Sequence, residues 1–204
     1  MKKKILVACL CVALAVLTIA GTTLAYLTSK DEVVNTFTVG NVQIKLDEAA
    51  ANPDGTLVYE EDSETPVARV KANSYKLIPG QTYTKDPTVH VTAGSEKCYV
   101  FVKVENGIAA LEANSNTIAS QIAANNWTLV TGETNVYYKT VDAATAGTDL
   151  IVFSNFTLAN DANSKDEWDS QNIKVVVTAY AVQYDGFESN VAGAWTAAKS
   201  ASGN

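Results

Sequence analysis

From Val33 onward the chain alternates β-branched or aromatic residues with polar ones, in short runs broken by turn residues. No other feature constrains the fold as much. An alternation of period two sends successive side chains to opposite faces of a strand, one toward a core and one toward water. Val33, Asn35, Phe37 and Val39 share one face, with Val34, Thr36 and Thr38 on the other. Past Gly40 the apolar positions become Val42, Ile44 and Leu46, so the parity flips, as at a bulge or tight bend between two strand segments. Further strands are predicted at 67–71, 75–78, 88–92, 98–105, 127–130, 136–140, 150–158 and 172–184. Asn52-Pro53-Asp54-Gly55 and Pro79-Gly80 read as turns, the second before Gln81-Thr82-Tyr83. Two stretches depart from the pattern. Ile108, Leu111, Ile118 and Ile122 sit in an Ala/Asn-rich segment, and Asn116 is placed to cap a helix running to Ala124. Val191, Ala194, Trp195 and Ala198 follow helical spacing near the end of the chain. The expected fold is all-β: an antiparallel β-sandwich of jelly-roll type, with a short inserted helix and a short C-terminal helix.

Ahead of this domain stands Met1-Lys2-Lys3-Lys4 and an apolar run over 5–20, with Thr18 its one strongly polar residue. As a helix that run is roughly 24 Å long, short of the roughly 30 Å hydrocarbon core of a bilayer. A cationic start, a short apolar stretch and the small residues Thr23 and Ala25 make a secretory signal peptide, cut between Ala25 and Tyr26. The competing reading is an uncleaved anchor extended through Leu27. Leu6-Val7-Ala8-Cys9 resembles a lipoprotein box but lies too early in the apolar run. The expected division is a signal peptide at 1–25, an N-terminal strand at 26–40 and a sandwich domain at 41–204. Cleavage removes three lysines and no acid, taking the formal charge from −7 to −10. So acidic a product is a poor partner for nucleic acid or anionic lipid. It keeps one cysteine, Cys98, within Cys98-Tyr99-Val100-Phe101-Val102, where a small buried hydrophobe is expected rather than a disulfide or reactive thiol.

Chemistry leaves few marks. Residues 47–64 hold Asp47, Glu48, Asp54, Glu60, Glu61, Asp62 and Glu64 without a base, which reads as a solvated loop or edge hairpin. The run from Asp161 to Glu167 begins like a calcium loop, then puts Lys165 at a ligand position and Asp166 where the sharp turn needs glycine. His90 is the one histidine, expected on a solvent face or hydrogen-bonded at a sheet edge. Zinc-protease, nucleophile-elbow, P-loop and dinucleotide motifs are all missing. Trp127, Tyr137, Tyr138, Trp168 and Trp195 could stack on sugars but are more ordinary as core. The residues therefore point to no catalytic, cofactor or metal site, and to a protein that is not an enzyme.

Ala25-Tyr26-Leu27-Thr28, followed by Asn35-Thr36-Phe37-Thr38-Val39-Gly40-Asn41-Val42, resembles the start of exported proteins processed by the SipW-type signal peptidase. These form the TasA/camelysin (CalY) family. The segment from Leu77 to Pro87, the run from Cys98 to Val104 and, more weakly, Thr178-Ala179-Tyr180-Ala181-Val182-Gln183 are similar to later strands of that family. The resemblance implies a secreted jelly-roll protein of the Gram-positive cell surface or biofilm matrix, with no stable membrane anchor once cut. In fibrous relatives the N-terminal strand of one subunit completes the sheet of the next, a form of strand addition. Here that assembly strand would carry Leu27, Val33, Asn35 and Phe37. The alternatives are a monomeric surface adhesin and a camelysin-type secreted metallopeptidase, for which the chain lacks a zinc motif.

Overall fold

A computed structural model describes residues 41–59, 68–143, 147–169 and 173–201, all within the compact unit Gly40–Asn204. The expected signal peptide, its cut site at Ala25 and Tyr26, and the assembly-strand residues Leu27, Val33, Asn35 and Phe37 lie outside the described residues. Among the described residues the fold is an all-β, sandwich-like arrangement of antiparallel sheets with two short α-helices. One sheet has the order β2 (Arg69–Val70), β1 (Ile44–Ala49), β4 (Thr88–Val91), β8 (Thr148–Ile151). The other runs β10 (Val175–Gln183), β5 (Cys98–Asn106), β7 (Val136–Val141), β6 (Thr128–Leu129). A separate ribbon pairs β3 (Thr82–Thr84) with β9 (Asn155–Thr157).

β5 explains the continuous apolar run at 98–102. Cys98, Val100, Val102 and Val104 point into the main core with Val89, Val91 and Leu150 of the first sheet. Tyr99 and Phe101 point the other way, under the C-terminal helix α2 (Val191–Ala201). Both faces are covered, so both parities are apolar. At 11 residues α2 is marginal as an isolated helix. Its Ala194, Trp195 and Ala198 are buried on the sheet, and Trp195 lies 5.4 Å from Phe101 and 5.1 Å from Tyr180 by ring centroids. The indole N–H donates to Glu133 at 2.7 Å.

Helix α1 (Ile118–Ala124) is capped one residue later than expected. Thr117 Oγ1 accepts from Ser120 N, while Asn116 turns its amide onto Asn155 at 2.8 Å. Buried Glu112 accepts from the Ile118 N–H at 3.0 Å, and burial pushes its carboxyl up. This helix also explains why 150–158 is two strands. Val152 and Phe153 are consecutive and fully buried, which breaks the alternation and moves the chain from the first sheet to the ribbon. The backbone groups freed at that corner are met from the helical segment: Trp127 Nε1 donates to Ile151 O, Asn125 Nδ2 to Val152 O, and Gln121 Oε1 accepts from Ser154 N and Asn155 N.

Residues 75–78 are not a strand either. The Tyr83 hydroxyl, on a side chain with no exposure, donates to Lys76 O and accepts from Ile78 N, both at 2.7 Å. Tyr75 donates to Thr84 O at 2.7 Å, and its ring meets Tyr83 and Phe156 edge-on. Side-chain hydroxyls thus do the work a sheet ladder would otherwise do.

Candidate functional site

β1 carries ionic groups on both faces. Lys45 and Asp47 share its outer face, while Ile44, Leu46 and Glu48 turn toward the second sheet. Asp47 is 3% exposed and sits between basic side chains from three strands. Its Oδ1 meets Arg69 Nε of β2 and lies 2.7 Å from His90 Nε2 of β4, and its Oδ2 is 2.7 Å from the Lys45 ammonium of β1 itself. Arg69 extends the network to Asp86 at 3.1 Å, and His90 Nδ1 reaches Asp149 of β8 at 2.6 Å. Burial alone would raise the Asp47 carboxyl, but Lys45, Arg69 and His90 overcome it and hold the group well below the usual carboxylate range. The Arg69 guanidinium, which burial alone would weaken, is strengthened by Asp47 and Asp86.

The inner cluster centres on Glu48, 4% exposed. Its Oε2 is 2.5 Å from Lys85 Nζ, and its Oε1 accepts from Asn73 Nδ2 at 3.0 Å. Asn73 Nδ2 also donates to Ala49 O, and Asn73 Oδ1 accepts from Ala51 N, both at 2.9 Å. Lys71 covers the rim, donating to Leu46 O at 2.5 Å. Nearby Tyr75 has its phenol pushed up by burial and then by the Glu48 charge.

These groups line a seam between the sheets. A cleft of about 380 Å³ lies between Leu46, Glu48 and Lys85 on one side and Val175 and Val177 of β10 on the other. It shares Asn73, Lys85 and Val175 with a second cleft of about 320 Å³, walled by Tyr75, Leu77, Phe156 and Ile173. A separate cleft of about 550 Å³ opens between α1 and the end of β5, with Tyr137, Asn135 and Lys174 on its walls.

Several sequence readings change here. Asp47 and Glu48 do not belong to a solvated loop: they are buried in β1 and answered by Arg69 and Lys85, 22 and 37 residues away. His90 is on the outer face of its sheet, beside Lys45 and 25% exposed, but not at an edge. It stands in an interior strand with both ring nitrogens against carboxylates. Asn73 had no mark in the sequence, since an isolated amide outside a motif carries no signal, whereas Lys85 lies in the Leu77 to Pro87 segment that carries the resemblance, with no role read for it there. The loop after Asp161 is tied down by Lys165, which donates to Ala110 O at 2.7 Å. Trp127 and Trp195 are core, and Cys98 is a buried free thiol pushed up to about 11 by its surroundings. Among the described residues no helix is long and apolar enough to cross a membrane, and no group of three His, Cys, Asp or Glu is placed to hold a metal ion. No family model, no curated protein and no solved structure matches the chain.

Proposed function

We propose that the chain is a secreted structural subunit of the cell surface or biofilm matrix, of the TasA/camelysin kind, and not an enzyme. In this reading a SipW-type peptidase cuts between Ala25 and Tyr26, and subunits join by strand addition. The new N-terminal strand, with Leu27, Val33, Asn35 and Phe37, docks on a neighbouring copy.

The observation that carries this reading is β10. It is nine residues long, reads Val-Val-Val-Thr-Ala-Tyr-Ala-Val-Gln, and ends its sheet with β5 as its one partner strand among the described residues. A long apolar edge of this kind, roughly 30 Å of ladder, is a template for another strand unless something covers it. The two clefts of the seam run beside it and offer apolar walls for alternate side chains of an incoming strand. His90, with both nitrogens engaged by carboxylates, suits holding strands together better than moving a substrate proton.

The test compares residues 26–204 with residues 41–204 by sedimentation across concentration and by electron microscopy. The longer chain is expected to form concentration-dependent polymers and the shorter one a monomer. Polymers from the shorter chain, or a monomer from both, would sink the proposal.

A further inference from the structure

We propose that Lys85 and Asn73 become joined by an intramolecular isopeptide bond, with Glu48 as the catalytic acid–base group. The three required parts meet at one carboxyl: Glu48 touches both an amine nucleophile and a carboxamide electrophile, and these two line the same two clefts. Glu48 presents Oε2 to the Lys85 nitrogen at 2.5 Å and Oε1 to the amide nitrogen of Asn73 at 3.0 Å. The side chains of Lys85 and Glu48 are only 12% and 5% exposed, so water competes little for either. The pairs Lys97–Asp142 and Lys103–Glu105 are far more open, at 43% and 88% and at 37% and 54%. A fourth group completes the arrangement. The backbone N–H of Ala51 points at Asn73 Oδ1 from 2.9 Å, where negative charge develops when the amide carbon is attacked.

The reaction balances without any outside reagent. Lys85 first gives a proton to Glu48, leaving a neutral amine beside a neutral carboxylic acid, an exchange favoured where charges are poorly solvated. The amine lone pair attacks Asn73 Cγ, and the carbonyl π pair moves onto Oδ1, held by the Ala51 N–H. Glu48 returns a proton to Nδ2 as the Cγ–Nδ2 bond breaks, then takes the surplus proton from the former lysine nitrogen. Ammonia leaves through the adjoining cleft of about 380 Å³ and accepts that last proton. The net change converts an ammonium and a primary amide into a secondary amide and an ammonium ion. Fixed contacts supply the proximity that makes amide exchange feasible in a fold and negligible between free side chains. The product closes a covalent loop from residue 73 to residue 85 that spans the Pro79-Gly80 turn and β3 and lies beside Glu48 of β1.

Intact mass spectrometry of the purified, folded chain under denaturing conditions reads the outcome directly. The expected mass is one ammonia below that of the sequence, and trypsin should release peptides 72–76 and 77–97 as one branched species uncut at Lys85. Glu48→Gln, Lys85→Arg and Asn73→Ala are each expected to lose the mass deficit completely. A wild-type chain at full sequence mass overturns the proposal, as does an ammonia loss that maps to another residue. Linkage persisting in Glu48→Gln overturns the role of Glu48. The wild-type measurement stands whether or not the variants fold, and it is independent of polymerisation.

Discussion

Replacing Asp47 by Asn keeps the size of the side chain and removes the charge on which three strands converge. The cost can be set from the exposure of its partners. Lys45 and Arg69 are 63% and 33% exposed, and His90 is 25% exposed, against 1% for the carboxylate itself. Exposed ion pairs contribute about 0.2–1 kcal/mol, whereas removing one partner of a buried pair costs about 3–5 kcal/mol. A buried acid with half-open partners falls between, so Asp47→Asn should destabilise by about 2–4 kcal/mol. For a domain of this size that corresponds to a fall in Tm of roughly 4–16 °C. The pH dependence supplies the sharper test. The folded carboxyl titrates below its unfolded value, so its contribution is complete above about pH 4 and fades as pH falls further. Urea unfolding of both proteins should therefore show a gap that is narrower by roughly 1 kcal/mol at pH 3 than at pH 5. Asp149→Asn, at a carboxylate 69% exposed, should cost less than 1 kcal/mol. A gap under 1 kcal/mol for Asp47→Asn, or one that stays constant down to pH 3, would refute the claim that this charge ties β1, β2 and β4 together.

Two further outcomes follow from the geometry. Gly55 has φ +85°, and an added Cβ would lie 2.6 Å from the Cα of Tyr83, a backbone atom that cannot step aside; Gly55→Ala should cost about 3 kcal/mol by thermal unfolding. Gly94→Ala, with φ +80° but nothing within 4 Å, should cost only about 1 kcal/mol, and equal losses at the two sites would show that the Tyr83 contact is unimportant. The Cys98 thiol, buried and pushed up to about 11, should resist a thiol reagent at pH 8 in the folded protein and react fully in denaturant. Prompt labelling of the native chain would contradict its placement in the core.

Strand identity was legible wherever burial follows one parity or covers both faces. β4, β5 and β7 lie within a residue or two of their expected positions, because Val89 and Val91, then Cys98 to Val104, announce their faces locally. The failures share one cause: the deciding partner lies outside the segment being read, from five residues away for Tyr83 to 37 for Lys85. Residues 75–78 alternate as a strand should, yet the hydroxyl of Tyr83 and the carbonyl of Pro53 take up their backbone groups. Residues 150–158 look like one strand because the Gln121, Asn125 and Trp127 side chains that satisfy the corner cannot be inferred from the corner itself. Within the acidic run Asp47 and Glu48 misled for the same reason, while Asp54 is exposed as expected and Glu60, Glu61, Asp62 and Glu64 lie outside the described residues. Charge density predicts solvation only when no counter-charge folds back onto it, and Arg69 and Lys85 do.

That same dependence on distant partners gives β1 its significance. Alternation places Asp47 and Glu48 on opposite faces of one strand, so two adjacent acids serve two separate networks. Asp47 gathers β2 and β4 on the outer face through reversible ion pairs, which weaken with acid and salt. Glu48 faces the seam, where its partners Asn73 and Lys85 belong to the wall that an added strand would lean on. If that wall were held only by charge, a strand docking along β10 could push residues 71–77 away from β1 and lose the groove it fills. A covalent Lys85–Asn73 link would fix the wall before docking, so less ordering would be left for association to supply. The two proposals are therefore coupled in one direction. Lys85→Arg and Asn73→Ala should weaken polymerisation of residues 26–204 by raising the concentration it requires, whereas deleting residues 26–40 should leave the ammonia loss untouched. Unchanged assembly in the two link-free variants would show that the groove is rigid without the bond.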